Sequence, residues 1–351
     1  MALSNHGSTV MTETAPAEMA TILVTSRSFG DGTVDLVGQL QQAGHHIVRG
    51  TSDHDHSALE HTLQETDAWI AGTGPVTAAH LDASRRLRIV ARYGVGFESV
   101  DVPAATARGI WVTNTPGANS DGVADHAIAL MLAALRGVVD GDRRVRDGDW
   151  RVFRGRELGT LTVGIVGFGR IGRGVAQRLS GFGTRILATD PVVSAADLRR
   201  AGVEPASLEI MANQCDVVTL HAPGGQVVVE KNWLATLDRP CVIVNTARAD
   251  LVDEVALAAA LRDGHVRAYA ADTLEGDTGN RSSPLLANDL ADRVTITPHL
   301  GAQTVEAVDS MGTIAATNIL AALAGGSPPN AVNSPEPAEL AARNALSRKD
   351  Q

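Results

Sequence analysis

Residues 162–174 read TVGIVGFGRIGRG. An apolar, β-rich run is followed at once by glycines at 167, 169 and 172, where a helix-compatible stretch begins. This G-x-G-x-x-G spacing has a mechanical reading. Gly167 permits the tight turn, Gly169 lets the backbone approach a pyrophosphate, and Gly172 allows a helix to pack closely on the strand. A helix starting at Arg170 and Ile171 would then offer N–H groups and a positive dipole end to the phosphates. Taken alone the spacing is weak, because a strand–helix turn can require glycines for packing only. The next apolar run, RILATD (185–190), ends in Asp190, about where a ribose-binding carboxylate belongs. That carboxylate would repel a 2′-phosphate, and Pro191, Val192 and Val193 bring no cation. The expected cofactor is NAD rather than NADP.

The chain has 351 residues, more than one typical core, which predicts two domains. A net charge of −10 argues against nucleic acid or an anionic membrane as the main partner. Cys215 and Cys241 form no C-x-x-C pair and lie in or beside apolar runs, so they read as reduced core thiols of a cytoplasmic protein. No apolar run approaches the roughly 20 residues that span a bilayer. The first residues, MALSNHGSTVMTETAPAEMA, lack a basic n-region and an apolar h-region. Residues 1–19 are expected to be a flexible leader.

Short strand-like runs alternate with helical spacing from residue 21 onward. TILVT (21–25), HIV (46–48), AWIAG (68–72), LRIVA (87–91) and IWVT (110–113) form one series. TVGIVG (162–167), RILATD (185–190), DVVTL (216–220), CVIVNT (241–246), AYAAD (268–272) and VTIT (294–297) form a second. Such alternation predicts α/β architecture, with two Rossmann-like, doubly wound parallel-sheet domains. Two long helical stretches, 121–148 and 303–326, flank the second series and suit a hinge. The expected boundaries are 20–118 plus 303–333 for one domain, 119–302 for the nucleotide domain, and 334–351 for a mobile tail.

Seven segments together resemble the D-2-hydroxyacid dehydrogenase family, on its phosphoglycerate-dehydrogenase-like branch. They are RYGVGFESVD (92–101), VTNTPGANSDGVAD (112–125), GIVGFGRIG (164–172), LHAP (220–223), NTARADLVDE (245–254), AADTLEGD (270–277) and TPHLGA (297–302). They run in the family's order across about residues 21–325. The resemblance implies that the nucleotide domain is inserted in the substrate domain, and that the chain forms a homodimer.

Oxidising a 2-hydroxy acid requires a base for the hydroxyl proton, a fixed cation for the carbonyl oxygen and carboxylate, backbone donors, and a nearby nicotinamide. His299, after Pro298 at a strand end, can gain and lose a proton near neutrality. Arg248, just beyond CVIVN, can fork onto a carboxylate. By context alone a capping histidine and a surface arginine are the commoner readings. The resemblance implies that they are the base and the cation. It also implies that an acid pairs with His299, raising its pKa and fixing its tautomer. In the family that acid is a glutamate five residues past the strand-end aspartate, here Asp272. This chain has Asp277 there, followed by Thr278 instead of proline, with Glu275 as the alternative. The resemblance places Asp272, His221, Thr246 and Ala247 on the cofactor side. It makes the glycine turn around Val95 and Gly96 the grip for the substrate carboxylate, a nest of N–H groups.

The loop AGTGPVT (71–77) carries no Arg or Lys, which lowers the expectation of a phosphorylated substrate. A phosphonate- or phosphite-like substrate, or a non-catalytic NAD-sensing corepressor, are the alternatives. SDHDHSALEH (52–61) matches no zinc spacing and reads as a solvated loop before a helix, so no metal is expected. His45, His46, His80 and His265 read as surface residues. The basic stretch RRVRDGDWRVFRGR (143–156) reads as a solvated helix end near the hinge or a dimer contact.

Overall fold

The segments TILV, AWIA and IVAR are short and apolar, and they pair side by side in parallel. The computed structural model describes residues 19–276 and 282–347. Within it β1 (Thr21–Val24), β2 (His46–Arg49), β3 (Ala68–Ala71), β4 (Ile89–Arg92) and β5 (Trp111–Thr113) form a sheet of order β2-β1-β3-β4-β5. A second sheet contains β6 (Thr162–Val166), β7 (Arg185–Thr189), β8 (Glu204–Pro205), β9 (Val217–Leu220), β10 (Cys241–Asn245), β11 (Val266–Ala271) and β12 (Val294–Ile296). Its order is β12-β11-β10-β9-β6-β7-β8, and its pairs are parallel.

Parallel strands must be covered on both faces, which explains their almost unbroken apolar runs. Ile22 and Val24 face one core of the first sheet, while Leu23 between them faces the other. Helices α1 (Leu36–Gln42), α2 (His56–Gln64), α3 (Ala78–Ala83) and α4 (Val102–Ala107) serve this sheet. Then α5 (Ser120–Arg136) and α6 (Val138–Arg146) lead into the second. Ala124, Ile128, Met131 and Leu135 of α5 join Val163 and Ile165 in its core. Helices α7 (Arg170–Ser180), α8 (Ala195–Arg200), α9 (Leu208–Gln214), α10 (Lys231–Leu234) and α11 (Glu254–Arg262) follow. The long α12 (Val305–Leu323) returns to the first sheet, burying Ala307, Met311, Ala315 and Ile319 against Ile22 and Ile70. The second α/β unit is thus inserted in the first.

Several expectations need correction. The stretch 121–148 is two helices, not one, because Gly137 at φ 61° ends α5 in a left-handed turn and the axis bends by 59°. Residues 337–347, within the stretch expected to be a mobile tail, are helical. They form α13 (Pro337–Ser347), which begins with a proline, as helix starts tolerate. Its Arg343 donates to the Arg85 carbonyl at 2.9 Å, and a Cβ on Gly109 would meet the Glu339 carbonyl at 2.5 Å. Just before it, Val332 N–H bonds the Val112 carbonyl at 2.8 Å along β5.

His45, His54 and His80 are buried rather than solvated, whereas His46 and His265 are exposed. His54 has φ 58° and contacts the Thr25 hydroxyl through Nε2 at 2.6 Å and the Pro75 carbonyl through Nδ1 at 3.2 Å. Its ring lies against that of Trp69, with centroids 5.0 Å apart. No single helix among the described residues is long and apolar enough to cross a membrane. Residues 1–18 of the expected leader, and Asp277, lie outside the described residues.

Candidate active site

In a parallel sheet all carboxyl ends open on one side, where ligands bind in doubly wound folds. The second sheet places β10, β11 and β12 next to one another, and Arg248, Asp272 and His299 follow their respective ends. Gly167, Asp190 and His221 follow the ends of β6, β7 and β9 on the same side.

The glycine turn fits a dinucleotide. Gly167 has φ 90°, and a Cβ there would meet the backbone of His221 and Ala222 at 2.6 Å. A Cβ on Gly172 would collide with the Gly167 carbonyl, so both positions are closed by packing. Gly169 differs: its Cβ would meet nothing within 4 Å. The backbone there faces open space at the start of α7, where Arg170 is exposed and Ile171 half-buried. The Arg170 side chain lies across from Gly117 of the segment leading into α5. Asp190 accepts from Phe168 N–H at 2.7 Å, Val192 N–H at 2.8 Å and Val193 N–H at 3.0 Å. Burial alone would raise its pKa, but these three bonds outweigh it and the pKa is lowered. A carboxylate has about four acceptor positions, so one remains for a ribose hydroxyl.

Two further groups have unfilled polar atoms. His221 bonds the Thr219 hydroxyl through Nε2 at 2.9 Å, while Nδ1 is buried without a hydrogen-bond partner. Burial lowers its pKa to about 3, so the ring is neutral. The Thr246 hydroxyl is likewise buried and unpartnered. Such groups are costly to leave unmet, and they suit a polar ligand in the cleft.

The turn after β4 is shaped to receive an anion. The Gly94 carbonyl accepts from Thr115 N–H at 3.0 Å, and the Val95 carbonyl accepts from Asn114 Nδ2 at 2.7 Å. In a trans peptide the N–H points opposite to the preceding carbonyl. The N–H groups of Val95 and Gly96 therefore face the other way. Arg248 comes to this turn from the other domain: a Cβ on Gly96 would overlap its Nη2. Below the turn lies the largely buried Arg92, whose Nη1 would meet a Cβ on Gly94 at 2.9 Å. Burial, then the nearby Arg248 charge, lowers the Arg92 pKa to about 10, so it stays cationic at neutral pH.

The support beneath these groups was not foreseen. Asn245, fully buried at the end of β10, donates through Nδ2 to the Arg248 carbonyl at 2.8 Å and accepts from Ala247 N–H at 3.0 Å. It shapes the Thr246–Ala247–Arg248 turn. Asp272 is buried and spends both oxygens on the loop that carries His299. Oδ1 accepts from the Thr297 hydroxyl at 2.5 Å and Leu300 N–H at 2.7 Å, and Oδ2 from Gly301 N–H at 2.7 Å. His126 of α5 joins them, with Nε2 at 2.9 Å from the Thr297 hydroxyl and 3.3 Å from Asp272. Burial would raise the Asp272 pKa, but the bonds from His126, Thr297, Gly301 and Leu300 lower it. This clamp holds His299, exposed and at φ 58°, in a left-handed conformation that a non-glycine residue adopts only when its surroundings fix it. Buried Glu254 accepts from Glu275 N–H at 2.8 Å and the Ser283 hydroxyl at 2.5 Å, tying both sides of the segment that contains Asp277. The Glu275 side chain is exposed. A buried asparagine at a strand end and a glutamate after a helix N-cap were the available sequence signals.

Residues 128–301 match the family model described as D-isomer specific 2-hydroxyacid dehydrogenase, NAD binding domain. The glyoxylate reductase of Korarchaeum cryptofilum is 38% identical over 270 residues, which are 74% of this chain and 80% of that protein.

The chain belongs to the D-isomer specific 2-hydroxyacid dehydrogenase family.

The D-3-phosphoglycerate dehydrogenase of Mycobacterium bovis is 42% identical over 292 residues, 82% of this chain but 54% of that protein. The chain thus spans about half the length of the phosphoglycerate dehydrogenases it matches. Among solved structures, the TT0316 protein from Thermus thermophilus superposes with a TM-score of 0.78 at 32% identity, covering 89% of this chain and all of that one. As in the family, the second unit is the NAD-binding domain.

Proposed function

We propose that the protein is an NAD-dependent oxidoreductase that moves a hydride between C4 of nicotinamide and C2 of a small D-2-hydroxy or 2-oxo acid. One observation carries this reading: the Arg248 guanidinium of the NAD-binding domain rests on the Gly96 turn of the other domain, so both halves contribute to one anion site. Bound NAD supplies the hydride acceptor. Gly167, Gly169, Gly172 and the first turn of α7, with Arg170 and Ile171, hold the pyrophosphate, and Asp190 holds the adenosine ribose and disfavours a 2′-phosphate. His221, Thr246 and Ala247 line the cofactor side. Asp272 acts there by pinning the loop that carries His299.

The N–H groups of Val95 and Gly96 grip the substrate carboxylate with Arg248. The guanidinium also polarises the oxygen on C2. His299 takes the hydroxyl proton during oxidation and returns it during reduction. Asp277 orients His299, a role that rests on the family resemblance. Relatives named phosphoglycerate dehydrogenase and glyoxylate reductase point to small 2-hydroxy and 2-oxo acids as the class. Two free buried thiols suit a reducing compartment, the cytoplasm. A homodimer is the proposed assembly, through the exposed apolar residues Val138, Val139, Trp150, Val152 and Phe153.

The test is a panel of glyoxylate, pyruvate, hydroxypyruvate and phosphohydroxypyruvate with NADH, followed by NADH absorbance. At least one acid should be reduced, with NADH favoured over NADPH. No oxidation of either coenzyme with any acid contradicts the reading.

A further inference from the structure

Arg248 already has a carboxylate beside it. Glu98, just after the glycine turn in the first domain, brings Oε1 and Oε2 within 3.4 and 3.3 Å of Arg248 Nη2. The pair bridges the two domains across the cleft. A Cβ on Gly96 would overlap Arg248 Nη2 and meet Glu98 Oε2 at 2.6 Å, so both side chains lie over the same peptide. Arg248 Nη1 meanwhile donates to the Ala247 carbonyl at 2.9 Å. Nη2, the nitrogen over the Gly96 peptide, is therefore the one that Glu98 holds.

A charge count follows. Arg92 and Arg248 flank the turn and Glu98 offsets one of them, leaving a single net positive charge. One incoming carboxylate balances it. A second carboxylate on the same molecule would face Glu98 with neither arginine of the turn to spare, and like charges in a partly desolvated cleft repel strongly.

We propose that Glu98 is the resident counter-ion of Arg248, displaced when a 2-oxo acid binds, and that it selects monocarboxylate over dicarboxylate substrates. This deepens the proposed reaction and rests on Arg248 as the carboxylate grip. Specificity then includes a repulsive element as well as an attractive one.

The experiment compares wild type with Glu98→Gln at low ionic strength. KM and kcat are measured with pyruvate and oxaloacetate, and oxamate binding to the protein–NADH complex is measured by fluorescence. Glu98 is mostly exposed, so the pair's strength sets a ceiling of about fivefold on the gain with a monocarboxylate. The substitution should lower the pyruvate KM and the oxamate Kd by about three- to fivefold, and the oxaloacetate KM by roughly threefold more. Added salt should narrow both gains, and kcat should move less than KM. Unchanged or weakened oxamate binding overturns the counter-ion, and an oxaloacetate gain no larger than the pyruvate gain overturns the selection. If wild type reduces no acid of the full panel with either coenzyme yet oxamate binding tightens as expected, the proposed reaction fails and Glu98's role as counter-ion stands.

Discussion

His54 shows how a single residue ties this fold to pH. Burial lowers its pKa from 6.5 to about 4, helped by the nearby charges of His80 and Arg92 and opposed by the Pro75 carbonyl and Asp53. The folded protein therefore prefers the neutral ring. Above pH 6.5 the ring is neutral in both states and the preference has no effect. Below that the unfolded chain takes up a proton that the folded chain refuses, so stability falls as pH drops from 6.5 toward 4. The shift corresponds to roughly 3 kcal/mol. Asn tolerates positive φ, so His54→Asn should keep the backbone. Urea unfolding at about pH 7 and about pH 4 should show the wild type losing about 3 kcal/mol more than this variant. Equal losses would mean that His54 is protonated in the folded protein as well. The residue scale is also where the sequence was least legible. Arg248 and His299 stood out because motifs surround them. His54, Asn245, His126 and Glu98 did not, since each acts on a neighbour far away in sequence or through a turn whose shape only packing defines.

At the scale of elements the alternation of strand and helix was readable throughout, because a strand covered on both faces must be apolar at every position. CVIVN, buried at every position, is the clearest case. Three features escaped. The two-residue β8 is too short to carry a period. The α5–α6 break depends on one glycine within a pattern that is helical on both sides. In α13 the Ala- and Glu-rich composition of the expected mobile tail equally suits a helix, and its contacts with Arg85 and Gly109 are far away in sequence. In the glycine turn, by contrast, the packing was legible: Gly167 and Gly172 are closed by backbone, while Gly169 is open.

For the whole molecule, the proposed homodimer accounts for an apolar surface a monomer would leave wet. Trp150 and Val152 are 78% and 98% exposed, in the segment between α6 and the second sheet. Sedimentation velocity should give a species of twice the 36.6 kDa chain mass, and a single species at the chain mass contradicts the assembly. The central claim concerns catalysis: a strand-end imidazole, held strained by Asp272 and His126, exchanges the substrate's proton while Arg248 grips the acid. His299→Asn tests it most directly, since Asn tolerates the φ of 58° and keeps the loop's shape. With NADH and the best 2-oxo acid of the panel, the variant should bind NADH as the wild type does while kcat falls at least about 100-fold. Turnover close to the wild-type rate would contradict the account.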